Sequence, residues 1–259
     1  QFDALRIAAE AFGRPPPAAP ADLVGYMMGE KLAFDPGTKY VYSNFGYNTL
    51  GRVIERVTGL PYADAVAQAV LQPAGADRIV LGRTRPRDRL PDEVECWDDP
   101  VAVLCYSVYP DDAPVRPASY GAFSMEALDA HGGYVASPID LTRFLNAVGG
   151  TTGTQLLAPA TVEAMVARPD LPEYRASPAY YAFGWTVVPG RIAMAHNGAL
   201  TWGTSSMIGR LPGGITYAFC TNRLPTDIPA YLGAMTDGVA AAIGRLATWP
   251  ADDLYSRFG

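Results

Sequence analysis

Residues 183–221 read FGWTVVPGRIAMAHNGALTWGTSSMIGRLPGGITYAFCT, from Phe183 to Thr221. Apolar and β-branched runs at 183–188, 192–196, 204–211 and 215–221 are interrupted at Pro189-Gly190 and Gly213-Gly214. Two-residue turns containing glycine between such runs mark β-hairpins, so the stretch predicts an antiparallel meander. Just downstream, Leu232, Met235, Val239, Ala242, Ile243 and Leu246 recur on one face of a closing helix, which would pack against that sheet.

Upstream the period changes from two to 3.6. Leu50, Val53, Ile54 and Val57 recur at helical spacing, with Arg52, Glu55 and Arg56 on the other face, and Gly59 followed by Pro61 stops the helix. A second helix is expected from Tyr62 to about Gln72. A third opens with Ser137 as N-cap, Pro138 in the first turn and Asp140 three residues after the cap, its apolar stripe being Leu141, Phe144, Leu145 and Val148. Pro15, Pro16, Pro17 and Pro20 read as a connection between a short helical segment and the body. Helices followed by a run of strands define an α+β domain.

Between Arg83 and Gly132 periodicity is lost, and Pro, Asp and aromatics dominate, as in Asp98-Asp99-Pro100 and Tyr109-Pro110-Asp111-Asp112. Residues 83–131 are read as a long ordered surface excursion serving as a substrate-facing wall, since loops of this length are uncommon without such a role. Arg83, Arg85, Arg87 and Arg89 alternate within it. They either present four guanidinium groups on one side or form a solvated loop balanced by Asp92, Glu93 and Glu95.

Composition excludes several classes. The 259 residues are 49% hydrophobic and 18% charged, a balance that builds a core and differs from that of disordered chains. No apolar run reaches the length of about 18 residues that a membrane span needs. Twenty basic against 26 acidic residues give a net charge of -6 and a pI near 4.9, which argues against a nucleic-acid partner. The two histidines, His131 and His196, and three cysteines at 96, 105 and 220 supply no recognisable metal-ligand spacing, so neither metal nor cofactor is expected. Cys96 and Cys105 are close enough in sequence to bridge a short loop, and the odd cysteine count leaves the redox compartment open.

Three segments set polar groups at the ends of elements. In 36–44, Tyr42 and Asn44 flank Ser43 just before a helix, whose free N–H groups and positive dipole end would help a tyrosine lose its proton. The alternative is ordinary capping by Ser43 and Asn44 with Tyr42 as packing. In His196-Asn197-Gly198-Ala199, leading through Thr201-Trp202-Gly203, a histidine beside a small-residue turn can set a polarising side chain next to a bare N–H, as an oxyanion hole requires. The alternative is a strand-end histidine with a structural hydrogen bond. Ala130-His131-Gly132-Gly133-Tyr134-Val135-Ala136-Ser137 is a glycine-rich lead into a helix and carries little by itself.

Together these segments resemble, in order and wording, the serine β-lactamase and penicillin-binding protein-like hydrolases of the class C type, which include esterases, D-amino-acid peptidases and acyltransferases. The block from Phe34-Asp35-Pro36-Gly37-Thr38 through Tyr42-Ser43-Asn44-Phe45-Gly46-Tyr47 to Leu50-Gly51-Arg52-Val53-Ile54-Glu55-Arg56-Val57-Thr58-Gly59 is similar to the family's "PGT...YSN.GY..LG.VIE.VTG". Gln72-Pro73-Ala74-Gly75-Ala76, the run from Gly132 to Leu141, and His196-Asn197-Gly198 resemble its next three motifs. The resemblance implies an antiparallel sheet flanked by helices with a helical lobe, and acyl transfer through a seryl intermediate. It also implies Tyr42 in the base network, Asn44 holding substrate or a lysine, His196 polarising substrate, and Gly198 with the Ala199 N–H at the oxyanion hole.

One departure is severe. The family's Ser-x-x-Lys motif, upstream of Tyr-x-Asn, is absent: Met28 and Pro36 stand three residues before Lys31 and Lys39, the two lysines of the chain. The G-x-S-x-G pattern is absent too. Gln1 opens the sequence in mid-family. The expectation is therefore the C-terminal portion of one β-lactamase-like domain, 1–259, acting on a small-molecule ester or amide with its nucleophile on a segment outside this chain, including a companion chain among the partners. Two alternatives stand: a catalytically dead binding module, and a triad using Ser43 or Ser137 with His131 or His196. Localisation stays open between cytoplasmic and exported.

Overall fold

In the computed structural model, which describes residues 2–97, 103–149, 153–200 and 203–249, the elements run α1 (Phe2–Ala11), α2 (Pro20–Met27), α3 (Asn44–Thr58), α4 (Tyr62–Val66), β1 (Val80–Leu81), β2 (Leu104–Tyr106), β3 (Val115–Pro117), β4 (Tyr134–Val135), α5 (Pro138–Gly149), α6 (Pro159–Val166), β5 (Tyr180–Tyr181), β6 (Thr186–Val188), β7 (Ile192–Ala199), β8 (Ser205–Arg210), β9 (Thr216–Thr221) and α7 (Ile228–Gly244). Asp98, Asp99, Pro100, Thr201 and Trp202, named above, lie outside the described residues.

The meander forms as expected, in a five-stranded antiparallel sheet ordered β5-β6-β7-β8-β9. Gly190 turns the chain between β6 and β7, and Gly213 with Gly214 between β8 and β9, all at positive φ. The predicted strand at 183–188 divides instead. The Ala182 N–H bonds to the Trp185 carbonyl at 2.8 Å, closing a tight turn that sends β5 back antiparallel to β6.

Strand alternation gives the sheet two buried faces. On one, Ala195, Met207, Tyr217 and Phe219 pack under Leu232, Met235 and Val239 of α7, whereas Leu246 lies past the end of that helix and is half exposed. On the other, Trp185 and Met194 pack with Leu145 and Val148 of α5. Arg210 crosses from β8 to that helix, buried, and donates to the Leu145 carbonyl near the helix C-terminus, where the dipole favours a cation. It fits because residue 149 is glycine: a Cβ there would lie 1.2 Å from Arg210 Nη1.

Three expectations need correction. The stripe Leu50, Val53, Ile54 and Val57 of α3 faces outward, with exposures of 53%, 50%, 37% and 80%. The buried side carries Asn48 and Gly51, along with Arg52, whose guanidinium pairs with Asp129 at 2.5 Å and Glu55 at 3.1 Å. The second helix is α-helical only to Val66 and then widens into a π-turn over Ala67–Leu71. The segment from 83 onward, read as a surface excursion, carries core of its own. Val108, Tyr109 and Ala127 pack with Leu5, Ala8 and Ala9 of α1, and Ala118, Ala122 and Phe123 form a further cluster. Aperiodic segments bury side chains through turns and 3₁₀ steps, which leave no repeat in the sequence.

Within that segment the alternating arginines are balanced, as the solvated reading had it, by Glu93 and Glu95 and by further acids that reading did not name. Arg83 pairs with Glu126, Arg85 with Asp88 and Asp111, Arg87 with Asp111, and Arg89 with Glu93 and Glu95. No disulfide joins Cys96 to Cys105. The Ser137 cap forms, its Oγ accepting the Asp140 N–H at 3.1 Å. Among the described residues no helix is long and apolar enough to cross a membrane.

Candidate active site

Tyr42 stands in the extended run that leads into α3. Ser43 caps the helix with φ −140° and ψ 104°, its Oγ accepting the Gly46 N–H at 3.0 Å. That bond fixes where the chain turns and hence where Tyr42 stands, half exposed, with Asn44 beginning the helix.

The sheet supplies the other half. β7 carries His196, Gly198 and Ala199, and β5, two strands away, carries Tyr181. Tyr181 Oη lies 3.0 Å from His196 Nε2, and the two rings meet edge-on with centroids 5.8 Å apart. Tyr42 packs against both, 5.8 Å from the Tyr181 ring and 6.4 Å from His196. Tyr40 adds a ring 5.4 Å from Tyr181. A small hollow of about 210 Å³ opens among Tyr40, Tyr42, Ser43, Tyr47, Leu50 and Tyr181. Tyr42 and His196 are thus brought together, and Tyr181 is the member that the sequence did not disclose. Its only trace was a Tyr-Tyr pair ahead of a strand run.

Gly198 and Ala199 lie inside the strand rather than in a turn after it, opposite Ser206 and Ser205. Leu200 N–H bonds to the Thr204 carbonyl at 2.9 Å, so by antiparallel alternation Gly198 pairs with Ser206 while the Ala199 N–H points away from β8. On that side β6 pairs with β7 only as far as Ala195. A Cβ on Gly198 would come within 2.7 Å of Ser206 Oγ, so glycine is needed for the close strand approach.

The electrostatics run against one expectation. Tyr42 does not ionise more readily: burial and the neighbouring Tyr47 push its phenol above the usual value. Tyr40 is pushed up to about 12, chiefly by burial. Burial lowers His196, holding its imidazole neutral. Lys39, the lysine next to this motif, stacks its ammonium 4.6 Å over the Phe34 ring. Ser43 and Ser137 are both engaged as caps, and the Ser137 hydroxyl also donates to Asp140 Oδ2 at 2.6 Å.

A larger cleft of about 1000 Å³ lies between the sheet and the aperiodic segment, reaching Ser206 opposite Gly198 and bounded by Tyr120, Phe123, Tyr134, Asp140 and Thr221. On two of its lining residues, Tyr134 Oη and Asp140 Oδ1 are buried beneath the surface without a hydrogen-bond partner among the described residues.

A two-faced antiparallel sheet flanked by helices, with a Tyr-Ser-Asn turn beside a His-Asn-Gly strand, is the β-lactamase/transpeptidase-like fold. The Beta-lactamase family model matches residues 3–240, and the chain belongs to that family. Penicillin-binding protein 4* of Bacillus subtilis (strain 168) is 36% identical over 69 residues, 25% of this chain and 15% of that protein. Among solved structures, D-amino acid amidase from Ochrobactrum anthropi SV3 superposes with TM-score 0.63 at 20% identity, covering 88% of this chain and 65% of that one. D-stereospecific amidohydrolase from Streptomyces sp. gives 0.56 at 26% identity, covering 79% and 56%. The chain therefore spans less than two thirds of the length of each of these proteins.

Proposed function

We propose that residues 1–259 are the C-terminal portion of a single β-lactamase-like domain, a serine hydrolase or acyltransferase that cleaves a small-molecule ester or amide through an acyl-enzyme. The observation that carries this reading is the convergence of Tyr42, Tyr181 and His196, the last on the strand that also carries the outward-facing Ala199 N–H. In the reaction, a serine on a segment outside this chain attacks the carbonyl. Tyr42 with that segment's lysine shares the serine proton, Asn44 holds the substrate or the lysine, and His196 orients and polarises the substrate. The Ala199 N–H receives the developing oxyanion, with Gly198 keeping the strand close and the approach open. Names of the structural relatives favour the amide arm.

The placement of the nucleophile elsewhere has four supports. The apolar stripe of α3, running from beside Tyr42, is exposed. Among the described residues no strand pairs with the outer edge of β9. The large cleft stands open between the sheet and the aperiodic segment. The raised Tyr42 lacks the cation that would bring it down. Residues 83–131 contribute Leu90, Cys96 and Phe123 to that cleft, and serve as the substrate-facing wall.

The test is the intact mass of the natural protein before and after incubation with a fluorophosphonate or a β-lactam. A larger species, or a companion peptide, that gains the probe's mass is expected. A single unmodified 27.6 kDa species would leave a binding module that has kept the cleft and lost the chemistry.

A further inference from the structure

We infer that Glu173 is a positioning residue for Tyr42, its carboxylate accepting the Tyr40 N–H and so fixing the extended run on which Tyr42 stands. The inference rests on the reading of Tyr42 as a member of the base network. It starts from what that run lacks. Residues 39–43 belong to no helix or strand, so no ladder of hydrogen bonds holds them. Behind Tyr42 the chain is fixed locally, by the Gly46 N–H on Ser43 Oγ. Ahead of it the fastening comes from 133 positions away, where the Tyr40 N–H donates to Glu173 Oε1. Tyr42 therefore stands between two anchors. Alternation along an extended chain sends Tyr40 and Tyr42 to the same side, and both rings do meet Tyr181, at 5.4 and 5.8 Å.

The carboxylate is presented from a packed base. Glu173 lies in a 3₁₀ turn, Pro172–Tyr174, opened by its proline and closed by the Tyr174 N–H on the Leu171 carbonyl at 3.0 Å. Tyr174 is buried, with its ring 5.6 Å from that of Tyr40, so the same turn holds Tyr40 by backbone and by ring. Arg168 donates to the carbonyls of Tyr174 and Ser177 and stacks 4.3 Å over the Tyr180 ring, whose hydroxyl donates to the Val166 carbonyl at 2.9 Å. The charged groups nearby have other partners: Arg175 pairs with Asp170 at 3.2 Å, and Lys39 lies over the Phe34 ring. The Tyr40 N–H in turn holds the Glu173 carboxyl below its usual 4.5, so the anchor keeps its charged, accepting form at neutral pH. The consequence is chemical. A phenol that shares a proton must be placed closely, and Glu173 sets that placement through the backbone two residues ahead of it.

The measurement is NMR of the full chain, reading the Tyr40 amide and the cross-peaks between the Tyr42 and His196 rings, whose centroids are 6.4 Å apart. In the wild type the Tyr40 amide is expected to shift on acidification with a midpoint below 4.5, following Glu173. Glu173→Ala is expected to remove that titration and the Tyr42–His196 cross-peaks, while those between Phe219 of β9 and Tyr231 of α7, 6.3 Å apart, report an intact fold. Glu173→Gln, which keeps an acceptor oxygen, is expected to keep the Tyr42–His196 cross-peaks. A Tyr40 amide that does not titrate, Tyr42–His196 cross-peaks unchanged in Glu173→Ala, their equal loss in Glu173→Gln, or loss of the Phe219–Tyr231 cross-peaks as well would each overturn the assignment. In the protein complete with its nucleophile segment, Glu173→Ala is expected to lower kcat by about 10-fold at unchanged KM, within the roughly 100-fold that a misplaced group can cost. In a Tyr42→Phe background the same change is expected to lower kcat no further, and equal losses in the two backgrounds would overturn the assignment. The spectra do not depend on acyl transfer, so failure of the probe to label the protein would overturn the hydrolase reading and leave the placement of Tyr42 by Glu173 standing.

Discussion

A tyrosine is a poor base until its proton is shared. Burial raises the Tyr42 phenol in this chain, and the nearby residues offer aromatic rings rather than a cation. On the proposed reading its role therefore depends on the lysine of a Ser-x-x-Lys segment outside this chain. In the protein complete with that segment, Tyr42→Phe is expected to lower kcat by about 100-fold, the usual scale for losing general acid-base help. Unchanged turnover of a chromogenic ester would remove Tyr42 from the mechanism. His196→Ala is expected to act differently, raising KM far more than it lowers kcat, because a neutral, oriented imidazole binds substrate without moving its proton. Steady-state kinetics on the same ester separates the two, and a fall in kcat alone would make His196 a participant in proton transfer.

At the scale of elements, the buried Arg210 shows how sheet and helix are joined. Its guanidinium occupies the space where residue 149 would carry a side chain, so Gly149→Ala must expel it from the Leu145 carbonyl. The loss of a charged hydrogen bond in a buried place predicts a destabilisation of about 2 kcal/mol or more, read as a lower urea midpoint at unchanged slope. An unshifted midpoint would mean that α5 is free to move off the sheet. The same elements show what the sequence can express. Strands β6 to β9 were legible because their alternation and their Pro-Gly and Gly-Gly turns are local signals. For α3 the spacing was legible and the orientation was not. Periodicity reports that Leu50, Val53, Ile54 and Val57 share a face, while Asp129, far along the chain, decides that Arg52 goes inward. The clusters around Val108 and Phe123 left no period to read. Tyr42 and His196 were named from local motifs, but Tyr181 acquires its meaning only when β5 folds back beside β6 and β7.

For the whole molecule, the two histidines set how folding responds to acid. Burial is the main cause that lowers both His131 and His196 below their usual 6.5. Above pH 6.5 the imidazoles are neutral in folded and unfolded chains alike and contribute nothing to the pH dependence. As the pH falls through 6.5 the unfolded chain takes up protons that the folded one refuses, so unfolding binds protons and stability declines down to the folded-state values. Further down, Glu173 and Asp112 join. Each is held below its usual value of 4.5 or 3.8, Glu173 by the Tyr40 backbone N–H and Asp112 by Arg116, and their stabilisation disappears as they are protonated. Thermal melts between about pH 7 and pH 5 are therefore expected to show Tm falling with acid above the range in which Glu173 and Asp112 lose their stabilisation. His131→Gln and His196→Gln are each expected to flatten part of that slope. A Tm constant over this window would mean that water reaches both rings. The same melts bear on the reading of the fold, since a segment that covers the α3 stripe and fills the large cleft would raise Tm by binding the folded chain alone. That gain is expected to grow with the concentration of the added segment, and its absence would show that these surfaces are not where the segment binds.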